Sequence, residues 1–517
     1  MLELQTRLSA VVGRPCTAAI ACALENEEKT AARDNASGGW SRWMATTPPL
    51  SSSISFGIAL LMAMACGLAA ANIYYDQPVL GMMGAALAVL AAQLVKIPQA
   101  ARESEKQEKT LAMDSASHDR SWPIGGDPLP SSISYGLTLV MAIACGVAAA
   151  NIYYNQPMLG IMEAAFPSQV VVTELVPTAT QLGFAAGLLL LVPLGDRFER
   201  RRLILIQFAA LALSLAAAAL APDAWSLVVA SALVGVTSSV AQQIVPFAAE
   251  LAEPGRRGAT IGTVMSGLLC GILFGRALAG AVGDHYGWRA MFWLGLLLAV
   301  AVGLLLAAAL PRTQPRTQQS YGTLLKSLAV LWREERELRR ATIIQGCLFG
   351  SFSVLWTILA LQLDARYHLS AEIAGLFGIV GAVGVLFAPV AGKIADRRGP
   401  HAVIGLGSVI MLASWAVFAM WGMIAGPIVG VILLDFGEQG ALVSNQHVIY
   451  ALRPEARNRL NTIFMGGMFV GGAVGSAGAS FAWQFAGWIA VCTFGAALVA
   501  IALALHACGR VAEKRLG

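Results

Sequence analysis

The sequence predicts an all-α membrane protein: a twelve-helix bundle of two six-helix halves, preceded by an extra N-terminal segment of one or two helices. Three observations predict it. Hydrophobic residues make up 57% of the 517 and charged residues only 13%, where soluble domains carry about 25% charged residues. From Ile133 onward twelve apolar runs succeed one another, each near the ~20 residues a membrane crossing needs. Lys and Arg gather in alternate connections between those runs, the bias that orients membrane helices.

Residues 1–48 form a polar tail of mixed charge, with Arg14 inside its best apolar run, "LSAVVGRPCTAAIACAL". A signal peptide needs an uninterrupted apolar stretch and a small-residue cleavage site, so this segment reads as a poorly ordered cytosolic tail. Residues 49–97 hold a near-copy of the first span of the bundle. Pro49–Ala86 and Pro128–Ala165 are identical at about 27 of 38 positions, with "ANIYYDQP" in the first and "ANIYYNQP" in the second. Ile54 to Ile97 would span about 66 Å as one helix, twice the hydrocarbon thickness, so it breaks, most easily at Pro78. A hairpin with Asp76 near its outer tip returns the charged linker 98–132 to the cytosol. The second copy runs directly into the next span and takes the first slot of the bundle, which leaves the first copy on the periphery.

The twelve runs lie near 133–160, 176–195, 203–221, 225–250, 258–282 and 289–310, then 341–363, 373–395, 401–421, 425–450, 460–482 and 486–507. They define an N-terminal half, 133–310, and a C-terminal half, 341–507, joined by a polar central loop, 311–340, with a tail, 508–517, after the last run. With the chain before Ile133 inside, the inner connections carry Arg197, Arg200, Arg201, Arg202, Arg256, Arg257, Lys393, Arg397, Arg398, Arg453, Arg457 and Arg459, and the outer ones only Arg289 and Arg366. Both termini are therefore expected in the cytoplasm, and the membrane is expected to be the plasma (inner) membrane. Runs this long and continuously apolar lack the alternation of barrel strands. The eight cysteines show no metal spacing. No metal, no cofactor, no nucleotide cassette and no nucleic-acid partner is indicated.

The halves repeat each other. "PLGDRFERRRL" and "PVAGKIADRRGPHAV" come after the second span of each half, and glycines at i, i+4, i+8 (Gly267, Gly271, Gly275 and Gly467, Gly471, Gly475) line the fifth. Such glycines let helices pack closely, and their matched positions indicate duplication with a site near the repeat interface. With "ANIYYNQPML", "GRALAG" and "LLDFGEQGALVSNQ" added, residues 133–507 resemble the major facilitator superfamily, and within it the arabinose-efflux-permease and drug-efflux-like branch. The resemblance implies alternating access between the halves. The second basic turn matches the family pattern G-x-x-x-D-R-x-G; the first carries Val192 and Glu199 where that pattern has glycine. Carboxylates followed by arginines at a span end can pair and lock one access state, so Asp196, Arg197, Arg200, Arg201, Asp396 and Arg397 are candidate gating residues. The competing reading is a solvated positive anchor.

A charge near the middle of a membrane helix costs about 2.5–3.5 kcal/mol on insertion scales, so intramembrane charges mark where function is to be sought. Asp435 and Glu438 stand at i, i+3 in the tenth span, with Asn445 and Gln446 further along, and are expected on one helix stripe. A carboxylate in low dielectric favours its protonated form, the chemistry proton coupling requires. Arg276, in the fifth span, needs a carboxylate or an anionic substrate, and a contact with Asp435 across the halves is expected, with exchange of the two charges restoring transport. These three are the candidate proton-coupling residues; the competing reading is a structural ion pair. In the first span Asn151, Tyr153, Tyr154, Asn155 and Gln156 precede Pro157 inside what should be one long kinked helix. Asn151, Tyr154, Asn155 and Gln156 are candidate substrate-binding groups, together with Gln181, Gln242, Gln243, Asn445 and Gln446; the glutamines also fit interhelical bonding. Glu250, Asp284 and Glu163 fall at span ends, as caps or solvated groups.

The function expected is secondary active transport, a proton-coupled exporter of small organic molecules such as sugars, drugs or metabolites, acting as a monomer in the lipid bilayer. Uptake by proton symport and a transport-inactive sensor of the same fold are the alternatives. No intramembrane nucleophile or metal cluster supports an enzyme.

Overall fold

The computed structural model describes residues 135–516 apart from 254–255, 314–319, 387–396, 398 and 454–455. The tail 1–48, the duplicated segment 49–97 and the linker 98–132 lie outside the described residues. In the first half the chain forms α1 Tyr135–Ala150, α2 Leu159–Ala165, α3 Val170–Thr173, α4 Val176–Leu190, α5 Leu194–Arg197, α6 Arg200–Ala219, α7 Ala224–Ser238, α8 Ala241–Leu251, α9 Arg257–Tyr286 and α10 Trp288–Ala309. Then come α11 Tyr321–Glu334, α12 Arg336–Tyr367, α13 Ala371–Leu386, α14 Pro400–Met420, α15 Ala425–Leu452 and α16 Arg457–Leu516. No strand occurs among the described residues. Nine helical stretches among them are long and apolar enough to cross a bilayer, and α1 and the start of α13 are shorter apolar helices. Helices satisfy every backbone N–H and C=O within the segment, which lipid cannot do for them. Large apolar side chains such as Leu213, Leu304 and Phe481 point outward, where a bilayer is their solvent.

Glycine sets the packing inside each half. A Cβ at Gly271 would fall on the backbone of Gly146, and one at Gly267 on that of Ala142, so α9 lies backbone to backbone on α1. The second half repeats this: Gly471 meets Gly346 and Gly475 meets Gly350, joining α16 to α12. The glycine stripes therefore build the halves and do not face the interface between them. That interface uses other positions on the same helices. Gly375 of α13 lies against Arg276 of α9, and Gly472 of α16 against Gln181 of α4.

Three local geometries have identifiable causes. The first span is broken outright: residues 151–158 are turns between α1 and α2, held by i→i−3 bonds such as Tyr153 N–H to Ala150 O (3.0 Å). This corrects the single kinked helix read from the sequence. Pro157 removes one N–H and crowds the carbonyl four residues back, and Asn151 Nδ2 donates to Val147 O at 2.7 Å, competing for a helical acceptor. Gly287 (φ 82°) and Gly487 (φ 62°) reverse the chain before Trp288 and Trp488, at matching places in the two halves; α16 is bent at Ala486–Gly487. In the basic turns, Gly399 holds φ 84° ahead of Pro400, a left-handed position that suits glycine, whereas Glu199 sits at φ −57°, ψ 117°. The first turn thus needs no glycine where the pattern has one.

The central loop contains a helix that its mixed composition hid. Ser320 caps α11 by accepting from Thr323 N–H at 3.2 Å, and Leu324, Leu328 and Leu331 are buried. Leu328 and Leu331 pack with Ile449, Leu460 and Phe464 of the second half. Arg453 ties the end of this helix to the loop before α16, with Glu334 at 3.0 Å and Glu335 at 2.6 Å.

Candidate functional site

Buried polar side chains from both halves meet in one layer. Arg276 of α9 is 3% exposed. Its Nε donates to Gln156 Oε1 at 2.9 Å, and its guanidinium lies between the rings of Tyr153 (4.3 Å) and Trp356 (4.2 Å). Cation–π contacts of this kind gain strength when desolvated. The Nη2 atom has no partner. Asp435 of α15 is 5% exposed, and its Oδ2 is likewise bare. It rests against Gly381 of α13, whose Cβ position is also 3.2 Å from Trp356 Cζ2. The expected contact between Arg276 and Asp435 is not closed: none of the ion pairs, drawn at 4.0 Å or less, joins them. The guanidinium is held by Gln156 and Tyr153 of its own half and by the Trp356 ring of the other.

Glu438, 2% exposed, has a different environment. Gln345 Nε2 of α12 donates to its Oε1 at 2.7 Å, and Asn445 Nδ2 donates to Gln345 Oε1 at 2.9 Å. At ~100° per residue, Glu438 and Asn445 point within ~20° of each other, while Asp435 stands ~60° away. The expected four-residue stripe therefore divides. Gln446 leaves the layer and turns toward Met465 Sδ of α16, 3.9 Å away.

Gln181 joins the halves. Its Nε2 donates to Ser476 Oγ (2.6 Å), Ser353 Oγ donates to its Oε1 (3.2 Å), and Ser476 and Thr357 share a 2.8 Å bond. Asn155 Nδ2 donates to Thr180 Oγ1 at 2.8 Å within the first half. Asn151 and Tyr154 turn away from the interface, toward Gly295 of α10; of the first-span patch, Gln156 and Tyr153 are the groups that reach the layer.

The two ends of the bundle differ. Away from the basic loops the halves are drawn together: Gln484 Nε2 donates to Glu174 Oε2 at 2.7 Å, Ser480 Oγ donates to Glu174 O at 3.4 Å, and Gly280 lies on Ala371. At the basic-loop end a cavity of about 670 Å³ separates them, lined by Gln242, Gln243, Arg257, Arg457, Met465 and, from α11, Leu324 and Leu328. Gln243 Nε2 also donates to Leu191 O at 3.1 Å. Asp196, Arg200 and Glu250 stand in the same wall.

Family comparison decides what this two-halved bundle is. The model of the Major Facilitator Superfamily matches residues 141–434 and again 341–515. The chain belongs to the Major Facilitator Superfamily. "Uncharacterized transporter YgaY" of Escherichia coli O157:H7 is 40% identical over 376 residues, covering 72% of this chain and 95% of that protein. "Multidrug resistance protein B homolog" of Mycobacterium tuberculosis is 24% identical, over 67% of this chain and 76% of its own. Among solved structures, a variant of the peptide transporter POT in complex with alafosfalin matches with TM-score 0.60 at 14% identity, covering 73% of this chain and 96% of that one. That likeness speaks for the fold. A superfamily chain with these apolar helices is a multi-pass integral membrane protein of a transporter family.

In this major facilitator chain the first basic turn is a closed ion cluster. Arg200 Nη2 meets Asp196 Oδ1 at 3.3 Å and its Nε meets Glu250 Oε2 at 3.4 Å. Glu250, expected as a cap or solvated group, is thus the acidic partner that ties α6 to α8. Arg201 Nη2 donates to Ala307 O at 2.6 Å, Arg197 sits exposed with its guanidinium 5.8 Å from the Phe198 ring, and Arg397 is exposed. Asp396 lies outside the described residues. Glu163, also expected at a solvated end, is half-buried beside Glu174; burial first, and the neighbouring carboxylate second, push its carboxyl from about 4.5 up to about 7. A raised acid favours the closed end fully below about 4.5 and loses that contribution as pH rises through about 7. Measured against an exposed reference cysteine, whose thiolate fraction also rises with pH, a Ser480→Cys probe on a cysteine-free background is therefore expected to label faster as pH rises across that range, and Glu163→Gln to remove part of that dependence, the rest staying with Glu174.

Proposed function

We propose that this chain is a proton-coupled exporter of small organic molecules, drugs or metabolites among them. Twelve crossings form two halves that rock about the buried polar layer, giving it access to one end of the bundle at a time. The observation that supports this most is the layer itself: charged groups buried between both halves, which are drawn together at one end and separated by a cavity at the other. Positive-inside bias supports assigning the cavity to the cytoplasmic face of the inner membrane, with both termini on that side; the proposed working unit is one chain. The multidrug name of one relative favours export.

Glu438 is assigned the proton. One of its oxygens is fixed by Gln345 and the other is bare, so the carboxyl can gain and lose a proton without rebuilding its support. Asp196, Arg200 and Glu250 are assigned to the basic-end gate, where the first half's cluster loosens or tightens with the cavity. The test is solute-induced proton movement in vesicles containing the purified protein, screened over sugars, drugs and metabolites, with the direction of the imposed gradient varied. Solute-dependent proton flux is expected, and Glu438→Gln should abolish it while solute binding persists. Solute flux that ignores the proton gradient would overturn the coupling.

A further inference from the structure

We infer that Arg276 and Asp435 together hold a small zwitterionic solute, its carboxylate on Arg276 and its ammonium group on Asp435. This rests on the transport reading above and names the solute class of that site.

Two opposite charges stand buried at the seam between the halves without forming a pair. Arg276 Nη2 and Asp435 Oδ2 are both buried and both without a hydrogen-bond partner. Buried charges left like this are unfavourable, and the simplest remedy, a direct ion pair, is not taken. The reason lies in how each group is anchored. Arg276 is fixed through Nε on Gln156, its two faces are covered by Tyr153 and Trp356, and its stem lies on Gly378, whose Cβ position is 3.2 Å from Arg276 Cβ. A guanidinium stacked on both faces still presents its N–H groups at the edge, the geometry that binds a carboxylate. Asp435 is anchored by α15 against Gly381, beside the same indole. The site therefore offers donors and an acceptor of opposite charge, both in contact with one aromatic side chain.

A neutral solute leaves both charges unpaired. A simple anion answers Arg276 and meets Asp435 as a repelling neighbour; a simple cation does the reverse. A zwitterion answers both and adds no net charge to the layer. Gln156, Tyr153 and Arg276 belong to the first half, Trp356 and Asp435 to the second, so the site assembles when the halves close and comes apart when they separate. Glu438 keeps its own partner in Gln345 and remains available for the proton.

The test is calorimetric titration of the purified full-length protein in lipid nanodiscs. The probes are L-leucine with 3-methylbutylamine and 4-methylpentanoate, and L-phenylalanine with phenethylamine and 3-phenylpropanoate. Each pair of analogues lacks either the carboxylate or the ammonium group. At least one amino acid should bind about tenfold or more tighter than both of its analogues. Arg276→Gln should remove the preference over the amine and Asp435→Asn the preference over the acid. Because each variant loses a different half of the preference, a collapsed protein, which would bind none of the probes, is recognised at once. Glu438→Gln should keep amino-acid binding. An analogue bound as tightly as its amino acid, or no amino-acid binding in a wild-type protein that moves protons with another solute, overturns this inference and leaves the exporter reading standing.

Discussion

Gly271→Leu is expected to abolish recovery of folded protein, and Gly471→Leu to do the same. Both glycines stand where a Cβ would enter the backbone of a facing glycine, Gly146 and Gly346 respectively. Inserting methylenes into a packed interior costs about 1–3 kcal/mol when side chains can adjust. Here the obstacle is main chain, and relief requires α9 to move off α1, or α16 off α12, along the whole contact. Gly262, on the same helix as Gly271, has nothing within 4 Å of its Cβ position, so Gly262→Leu should be close to neutral. Thermal stability measured by size-exclusion fluorescence on the three variants checks this. Equal loss at Gly262 and Gly271 would show that leucine is harmful for some reason other than close approach.

The second expected result is that exchanging Arg276 and Asp435 will not restore transport. The single variants Arg276→Asp and Asp435→Arg should each lower uptake into inverted vesicles by on the order of 10²-fold, since each puts an unpaired charge of the wrong sign into a closed layer, and about 2.8 kcal/mol corresponds to that factor. The sequence alone favours rescue, on the assumption of a direct pair. The geometry removes that assumption. Arginine at 435 would find neither the Tyr153–Trp356 sandwich nor the Gln156 acceptor, and aspartate at 276 would face Gln156 Oε1 and the rings instead of a cation. Recovery of transport in the double variant to within about threefold of wild type would restore the direct pair as the working model.

The features legible in the sequence rest on local rules. Apolar length places the crossings, and glycine spacing marks α9 and α16 as closely packed. The isolated charges Arg276, Asp435 and Glu438 stand out because lipid makes them costly. The features hidden in the sequence depend on partners far along the chain. Trp356 reads as one more apolar residue of α12 until Arg276, 80 positions earlier, lies against it. Gln345 and Ser476 are ordinary polar residues in apolar runs, and become informative only as partners of Glu438 and Gln181. Tyr153 and Tyr154 are adjacent in sequence, yet one faces Arg276 and the other Gly295. Their separation comes from the broken turn at 151–158, which helical periodicity does not anticipate.

The helix within the central loop carries a last consequence. α11 is seated on the second half through Leu328 and Leu331, touches the first through the Tyr321 hydroxyl on Leu190 O (2.8 Å), and contributes Leu324 and Leu328 to the cavity wall. On the proposed route through this cavity, the connection between the halves is also a surface that cargo meets on its way through. Selectivity among relatives is then written partly in their linkers, and a chimaera that keeps all the crossings but borrows another protein's loop would inherit part of that protein's diet.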